Sequence, residues 1–334
     1  MKTKVFGTFG PSCKEEVVLS EMIEAGLTGM RLNLSHTTLS KSEEYIRAYQ
    51  SAAKKQGVIP QILIDMKGPE LRIGDLGEEK ILSENEVIYF GETGIPVPEE
   101  VLDAMQAEDE ILLDDGKLLV KILKEDHIAT NVKSKQAQVL RGGKIQSHKS
   151  IKITGKNVSM PALTPHDIEN IKQAKEYGVT ALMQPFVLSG EDLKYVRKVL
   201  EDNNAEDIKI FAKIENRLGV EHIEEILPEA DVIIIARGDL GNDMPLWELP
   251  AVQKELEEAC KKTGKPYVVV TQMLASMEKN PVPTRAEISD IYHAVYHGAW
   301  GVMLTGETAI GAYPVEAISY LANTSKEAEK NSRF

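Results

Sequence analysis

The feature that most constrains this chain is a repeated alternation. Short continuous apolar runs rich in Val, Ile and Leu are each followed by a longer stretch of helical periodicity, and this happens eight times. The runs predict strands over 4–9, 29–34, 60–66, 181–186, 209–215, 231–237, 266–272 and 301–305. The amphipathic stretches predict helices near 14–25, 38–56, 164–177, 189–203, 217–227, 248–263 and 284–297, with a last one at 314–330. Strands that are apolar on both faces are buried on both, as in a parallel sheet covered by helices. Eight such units close into a (β/α)8 TIM barrel, an α/β fold of about 250 residues. Helix start signals agree: Ser12 stands before Glu15 and Glu16, Ser189 before Glu191 and Asp192, and Thr284 before Glu287.

The chain has 334 residues, more than one barrel needs, and the excess is local. From about 70 to 154 the pattern becomes alternating, turn-punctuated β sequence. Leu112-Leu-Asp-Asp-Gly-Lys-Leu-Leu-Val-Lys121 predicts a hairpin around Asp115-Gly116, and Arg141-Gly-Gly-Lys144 predicts another turn. The expected domains are a barrel from 1–69 and 155–334 and a small β-barrel inserted at 70–154, after the third strand. Such an insertion sits at the catalytic end of a barrel, which makes it a lid rather than a decoration.

The formal net charge of −13 argues against nucleic acid or an anionic membrane as the main partner. A phosphate ligand must then be met by local positive charge. Two isolated cysteines, Cys13 and Cys260, make neither a disulfide framework nor a zinc site, and fit a reducing cytoplasm. Met1-Lys-Thr-Lys-Val5 lacks the apolar run of a signal peptide, and no stretch is long enough to span a membrane.

Polar residues concentrate at the predicted strand ends. In Ile208-Lys-Ile-Phe-Ala-Lys-Ile-Glu-Asn-Arg217, Lys213 and Glu215 are two residues apart and project from one face. The next strand delivers Asp239 at its end. Two acids and a lysine there outline a place for a divalent cation beside an anionic substrate. Mg²⁺ takes carboxylate oxygens and leaves positions for substrate oxygens, while a lysine offsets charge that develops during reaction. The second strand adds Arg31, Asn33 and Ser35 on one face, with His36 beyond; the third adds Asp65, then Lys67, Glu70 and Arg72. Asn33, Ser35 and Asp65 suit a hard cation, although each alone is equally a cap or turn former. Arg31, Arg72 and Lys156 are of the phosphate-binding type, the alternative being solvated surface charge, to which Lys156 is most open. The backbone of Arg237-Gly238-Asp239 opens toward a helix, where N–H groups hold carboxylates or phosphates. Thr271 is equally a β-branched strand residue, and His36 equally a polar loop residue. Glu15, Glu16, Glu43 and Glu44 read as solvated helix faces.

Together these segments resemble the pyruvate kinase family. The resemblance is carried by Thr3-Lys-Val-Phe-Gly-Thr-Phe-Gly-Pro-Ser12, Arg31-Leu-Asn-Leu-Ser-His36, Asp65-Met-Lys-Gly-Pro-Glu-Leu-Arg72 and Lys213-Ile-Glu-Asn216. It continues in Ala236-Arg-Gly-Asp-Leu-Gly241, Thr271-Gln-Met-Leu-Ala-Ser-Met277, Pro283-Thr-Arg-Ala-Glu287 and Thr305-Gly-Glu-Thr-Ala309. These are collinear over essentially the whole chain. The resemblance implies a barrel with a β lid and phosphoryl transfer between phosphoenolpyruvate and ADP in glycolysis, with Mg²⁺ (or Mn²⁺) and usually K⁺. It implies Glu215 and Asp239 as Mg²⁺ ligands, and Lys213 as the group that stabilises the enolate and the phosphoryl in flight. Gly238, Asp239 and Thr271 match substrate-binding positions, with Thr271 near the enol face that is protonated. Asn33, Ser35, Asp65 and the Met66 carbonyl match the K⁺ site, and Glu70 matches the glutamate of K⁺-requiring members. Arg31, His36, Arg72 and Lys156 match substrate and nucleotide phosphate contacts, and Asn33 stands with them at the nucleotide.

The chain departs from the family pattern in places. Met66 replaces a threonine, Thr305 a serine and Thr37 a glycine; Gln184-Pro185-Phe186 replaces Ala-Ser-Phe; and Lys156-Asn-Val-Ser-Met-Pro161 is a shorter return from the lid. Three classes of function stay open: a kinase, a Mg²⁺-dependent enolate lyase or aldolase-type enzyme on the same barrel, and a non-catalytic phosphoenolpyruvate- or nucleotide-binding protein. Arg31, Lys213 and the inserted domain weigh against the lyase, which needs no nucleotide clamp. The complete metal pair and lysine weigh against the binding protein. The family's C-terminal effector domain has no counterpart here, so sugar bisphosphates are expected to leave the saturation curve unchanged. A homodimer through the barrel is expected, covering an apolar face near 284–330.

Overall fold

A computed structural model of the chain describes residues 2–35, 37–69, 71–114, 116–124, 133–156, 158 and 160–332. It contains two compact units: Met1–Gly68 with Ala162–Phe334, and Pro69–Pro161.

In the first unit eight parallel strands, Lys4–Thr8, Gly29–Asn33, Gln61–Asp65, Ala181–Gln184, Lys209–Ile214, Val232–Ala236, Tyr267–Val270 and Gly301–Met303, close into a barrel. Each strand pairs with its predecessor and successor in the chain, and the last pairs with the first. Phe6, Leu63, Met183, Phe211, Ile234, Val268 and Met303 fill the barrel interior. The residues between them, among them Val5, Ile62, Ile64, Ile210, Ile233, Val269 and Val302, pack outward in the layer shared with the helices. Both faces are dry, which is why these strands read as unbroken apolar runs instead of alternating ones.

Helices Glu16–Ala25, Glu43–Lys55, Pro165–Ala174, Gly190–Asp202, Leu249–Thr263, Arg285–Tyr296 and Pro314–Asn331 form the outer layer, with two short helices, Arg217–Glu221 and Ile223–Glu229, after the fifth strand. The predicted cap at Thr284 is a full capping box: Glu287 N–H donates to the Thr284 hydroxyl, and the Glu287 carboxylate accepts from the Thr284 N–H. Asp192 likewise accepts the Ser189 N–H at 3.0 Å. Ser12 does not cap. It lies in a 3₁₀ turn, Pro11–Cys13, and the helix starts at Glu16 with Glu15 in the cap position.

All eight strands are shorter than the sequence predicts, and in two of them the backbone shows why. The fourth stops at Gln184 and the seventh at Val270, because Phe186, Thr271 and Gln272 take left-handed backbones, with φ of 51°, 76° and 55°. An extended strand cannot continue through such residues.

Where the chain leaves and re-enters this unit, the buried Asp167 gathers both crossings. Its carboxylate accepts the N–H groups of Lys67 (2.8 Å), Gly68 (3.1 Å) and Thr164 (2.8 Å) and the Thr164 hydroxyl (2.6 Å).

The second unit holds a five-stranded antiparallel sheet and a two-stranded one around a core that includes Ile73, Phe90, Val120, Val139 and Ile151. Glu110–Leu113 and Leu118–Ile122 pair antiparallel, as the hairpin reading predicts, although Asp115 itself lies outside the described residues. Arg141-Gly-Gly-Lys144 is not a hairpin turn. Ser134–Arg141 pairs with Val87–Gly91 and Leu118–Ile122, whereas Gly143–Ile145 pairs with Lys80–Leu82, so the chain switches sheets there. Gly142 permits the switch, since a Cβ at that position would stand 2.4 Å from the Leu82 carbonyl oxygen. Among the described residues no helix is long and apolar enough to cross a membrane.

Candidate active site

The period of two that places Phe6, Leu63 and Phe211 inside the barrel places Thr8, Asp65 and Lys213 inside it one step further along each strand. Arg31, registered against Thr8, joins them. These groups form one buried network. Arg31 donates through Nε (2.8 Å) and Nη2 (2.5 Å) to Asp65 Oδ2, and through Nη1 to the Thr8 hydroxyl (3.3 Å). Lys213 Nζ lies 3.3 Å from Asp65 and 2.8 Å from Glu215 Oε1. Burial disfavours a charged Asp65, but Lys213 and Arg31 outweigh it and hold the carboxyl below its ordinary value. Burial also opposes the Lys213 charge, and Asp65 and Glu215 outweigh it, so the ammonium is held more firmly than in water.

Glu215 is the exception in this network. Burial raises its carboxyl to about 7 against the pull of Lys213, and the charges of Asp239 and Asp65 add to the rise. Its Oε2 accepts the Phe186 N–H at 2.8 Å. Its Oε1 faces Lys213 but finds no aligned hydrogen-bond donor, and only Gln184 Oε1 shares that condition among the buried side chains described. A buried carboxylate whose Oε1 is held by an ammonium alone, with a second acid close by, is the kind of donor set that suits a hard cation.

Asp239 is exposed in the first turn of the short helix Arg237–Asp243, beside Gly238. Gly238 meets the seventh strand's end: a Cβ there would stand 2.8 Å from the Thr271 methyl and 3.5 Å from its hydroxyl. The Thr271 turn is held from outside. Arg237 Nη2 donates to the Thr271 carbonyl (2.8 Å), and buried Glu307 accepts the Leu274 N–H (3.0 Å). Glu307 also accepts from the Thr305 N–H (2.7 Å) and hydroxyl (3.3 Å), tying the eighth strand's end to the seventh's. The hydroxyl that Thr305 shares with serine is thus used for this tie.

The residues named from the sequence fall into three groups. Arg31, Asp65, Lys213 and Glu215 converge, with Gly238, Asp239 and Thr271 on the neighbouring strand ends. Asn33 is registered opposite Asp65, and its Oδ1 accepts the Ser35 N–H at 3.0 Å. The Met66 side chain is buried in the outer layer, so only its backbone is available on this side. Arg72 and Lys156 belong to the second unit. There Arg72 donates to the His148 carbonyl (2.7 Å), and Lys156 pairs with Asp109 (2.7 Å) and Gln106 (2.9 Å). His36 and Glu70 lie outside the described residues. Reasoning from the sequence placed Thr8, Arg237 and Glu307 within strand-end motifs without giving their side chains a role, and it missed Asp167 and Asp290. Of the two it missed, Asp167 had a local signal, the capping box Thr164-Pro-His-Asp167.

The family model described as "Pyruvate kinase, barrel domain" matches residues 1–318. The pyruvate kinase of Staphylococcus aureus strain MRSA252 is 38% identical over 337 residues, covering 98% of this chain and 57% of the relative. The pyruvate kinase of strain USA300 is 37% identical with the same coverage. The chain therefore spans 57% of the length of these curated relatives.

Proposed function

Because the chain belongs to the pyruvate kinase family, we propose that it transfers the phosphoryl group of phosphoenolpyruvate to ADP, giving pyruvate and ATP, the glycolytic step. The observation that carries this reading is Lys213, buried and charged between Asp65 and Glu215 with Arg31 alongside. Phosphoryl transfer needs positioning and charge neutralisation more than covalent help from the protein. The P–O bond to the enol oxygen breaks, a bond to a β-phosphate oxygen of ADP forms, and the enolate left behind takes a proton on its methylene carbon.

Lys213 and Arg31 meet the negative charge of the phosphoryl group and the enolate; both are preorganised by Asp65, so little rearrangement accompanies the reaction. Glu215 and Asp239 would hold Mg²⁺ or Mn²⁺, which when bound supplies positive charge to the substrate's carboxylate and phosphate oxygens. Two protein carboxylates leave positions for substrate and water. Gly238 and Asp239 bind substrate, and Thr271 presents its hydroxyl to the carbon that receives the proton. Asn33, His36, Arg72 and Lys156 serve the nucleotide phosphates. Asn33, Ser35, Asp65 and the Met66 carbonyl hold K⁺, with Glu70 supporting the requirement for it.

The partners are small molecules in the cytoplasm, without nucleic acid or membrane, and the chain dimerises through the barrel unit. Exposed Ile310, within 284–330, is in keeping with the dimer. A coupled assay for pyruvate and ATP from phosphoenolpyruvate and ADP, with Mg²⁺ and K⁺ present, tests the activity. No turnover would overturn it.

A further inference from the structure

Thr271 and Gln272 are consecutive residues with left-handed backbones. For a β-branched residue this conformation is strained and persists only where surrounding groups impose it. Here the groups are visible. Arg237 Nη2 donates to the Thr271 carbonyl at 2.8 Å and lies 2.9 Å from Met273 Sδ, so one guanidinium nitrogen spans the turn. Arg237 Nη1 is held by both oxygens of Asp290, at 2.8 and 2.7 Å, from the helix Arg285–Tyr296. The Arg237 side chain is 12% exposed and that of Asp290 37%, so the guanidinium end of the pair is the drier one. Glu307 fixes the far side of the turn through Leu274. Gly238 gives the Thr271 side chain a surface to stand on, next to Asp239. If the turn relaxed, the Thr271 hydroxyl would swing away from Gly238.

We propose that Arg237 and Asp290 are positioning residues: their ion pair holds Thr271 in its left-handed conformation and so keeps its hydroxyl beside Gly238. Neither residue meets the reacting atoms. The inference rests on the phosphoryl-transfer reading only for what the Thr271 hydroxyl acts upon.

Asp290→Ala is expected to lower kcat about 10- to 100-fold, the scale of releasing a strained turn, while the KM for phosphoenolpyruvate moves by no more than about threefold. Glycine takes positive φ freely, so adding Gln272→Gly to Asp290→Ala should recover about fivefold of the loss, which a general loss of stability would not do. A crystal structure of Asp290→Ala should show Thr271 at negative φ. Unchanged kcat, a loss that Gln272→Gly does not relieve, or Thr271 still at positive φ in the variant each overturns the proposal. If Asp290→Ala does not fold, the isosteric Asp290→Asn carries the same comparisons. A wild-type protein without pyruvate or ATP formation defeats the functional reading instead, and the variant's crystal structure then decides the positioning role alone.

Discussion

The two ends of the barrel interior are built from the same strands and obey opposite rules. Phe6 and Thr8, Leu63 and Asp65, and Phe211 and Lys213 are pairs of interior positions two residues apart, about 7 Å along a strand. Toward the N-terminal ends, Phe6 and Phe211 each pack against Trp300 with ring centroids 6.0 Å apart, and the space is closed by apolar contact. Toward the C-terminal ends, Arg31, Asp65, Lys213 and Glu215 put ionisable groups into the same buried column. Burying those charges costs free energy that their mutual pairing only offsets, so they add little to stability. One end holds the barrel shut and the other gathers the ionisable groups. Substitutions at the two ends should therefore be read by different instruments.

The largest expected effect is at the charged end. Lys213→Met should remove nearly all turnover, by about 10²–10³-fold or more, because one preorganised electrostatic group is lost. The fold should survive: Arg31 still pairs with Asp65, and Glu215, already shifted upward, takes up a proton when its ammonium partner goes. Steady-state kinetics beside circular dichroism measure both. Turnover near wild type would remove Lys213 from the reaction.

Phe211→Ala makes the opposite test. It should cost about 3–5 kcal/mol of stability, as large-to-small changes in a packed core do. Below its melting temperature, kcat should stay within about threefold of wild type, because the loss is uniform to substrate and transition state. A fall in kcat comparable to that of Lys213→Met would show that the two ends are not separable.

Glu215→Gln sharpens the comparison through pH. The Glu215 carboxyl is raised from 4.5 to about 7 in the folded protein. A raised acid stabilises the fold while protonated; that contribution is complete below about pH 4.5 and is lost as pH rises toward 7. Without metal, Glu215→Gln should then melt a few degrees above wild type at pH 8 and converge with it near pH 4.5. Mg²⁺ or Mn²⁺ binding should weaken about tenfold or more in the variant, and in wild type should loosen below pH 7 as protons compete. Scanning fluorimetry across pH and metal titration of Glu215→Gln and Asp239→Asn are the checks. Unchanged metal affinity in both variants would place the cation elsewhere.

The apolar end was largely legible in the sequence, because a strand buried on both faces needs an unbroken apolar run and this one requirement recurs at each barrel strand. The charged end was legible as a set of residue types at strand ends and as a family resemblance, but not as a network. Lys213 and Asp65 are 148 residues apart, and no local pattern announces that Asp65 serves as counter-ion to both Lys213 and Arg31. The left-handed backbones at Phe186, Thr271 and Gln272 were not legible either. Their residue types favour extended or ordinary turn conformations, and for Thr271 and Gln272 the constraint comes from Arg237, Asp290 and Glu307 on other elements. In the second unit, Gly142-Gly143 carries a turn signal, yet the close approach of Leu82 makes the site a change of sheet.

The smallest effect should come from the monovalent cation. Asn33 and Ser35 offer neutral oxygens beside Asp65, but both Asp65 oxygens already lie within 3.3 Å of Lys213, and Oδ2 accepts twice from Arg31. A K⁺ ion there would be held mainly by neutral donors next to a carboxylate whose charge is spoken for, so its grip is weak and its influence indirect. Replacing K⁺ by Na⁺ or Li⁺ should lower kcat/KM for phosphoenolpyruvate by about an order of magnitude or less, well short of the Lys213→Met loss. Asp65→Asn should be far worse than any cation exchange, because it loosens Arg31 and Lys213 together. Equal rates across the K⁺, Na⁺ and Li⁺ series would remove the monovalent site. A cation effect as large as that of Asp65→Asn would mean that the ion, and not the Arg31–Asp65–Lys213 network, organises the charged end of the barrel.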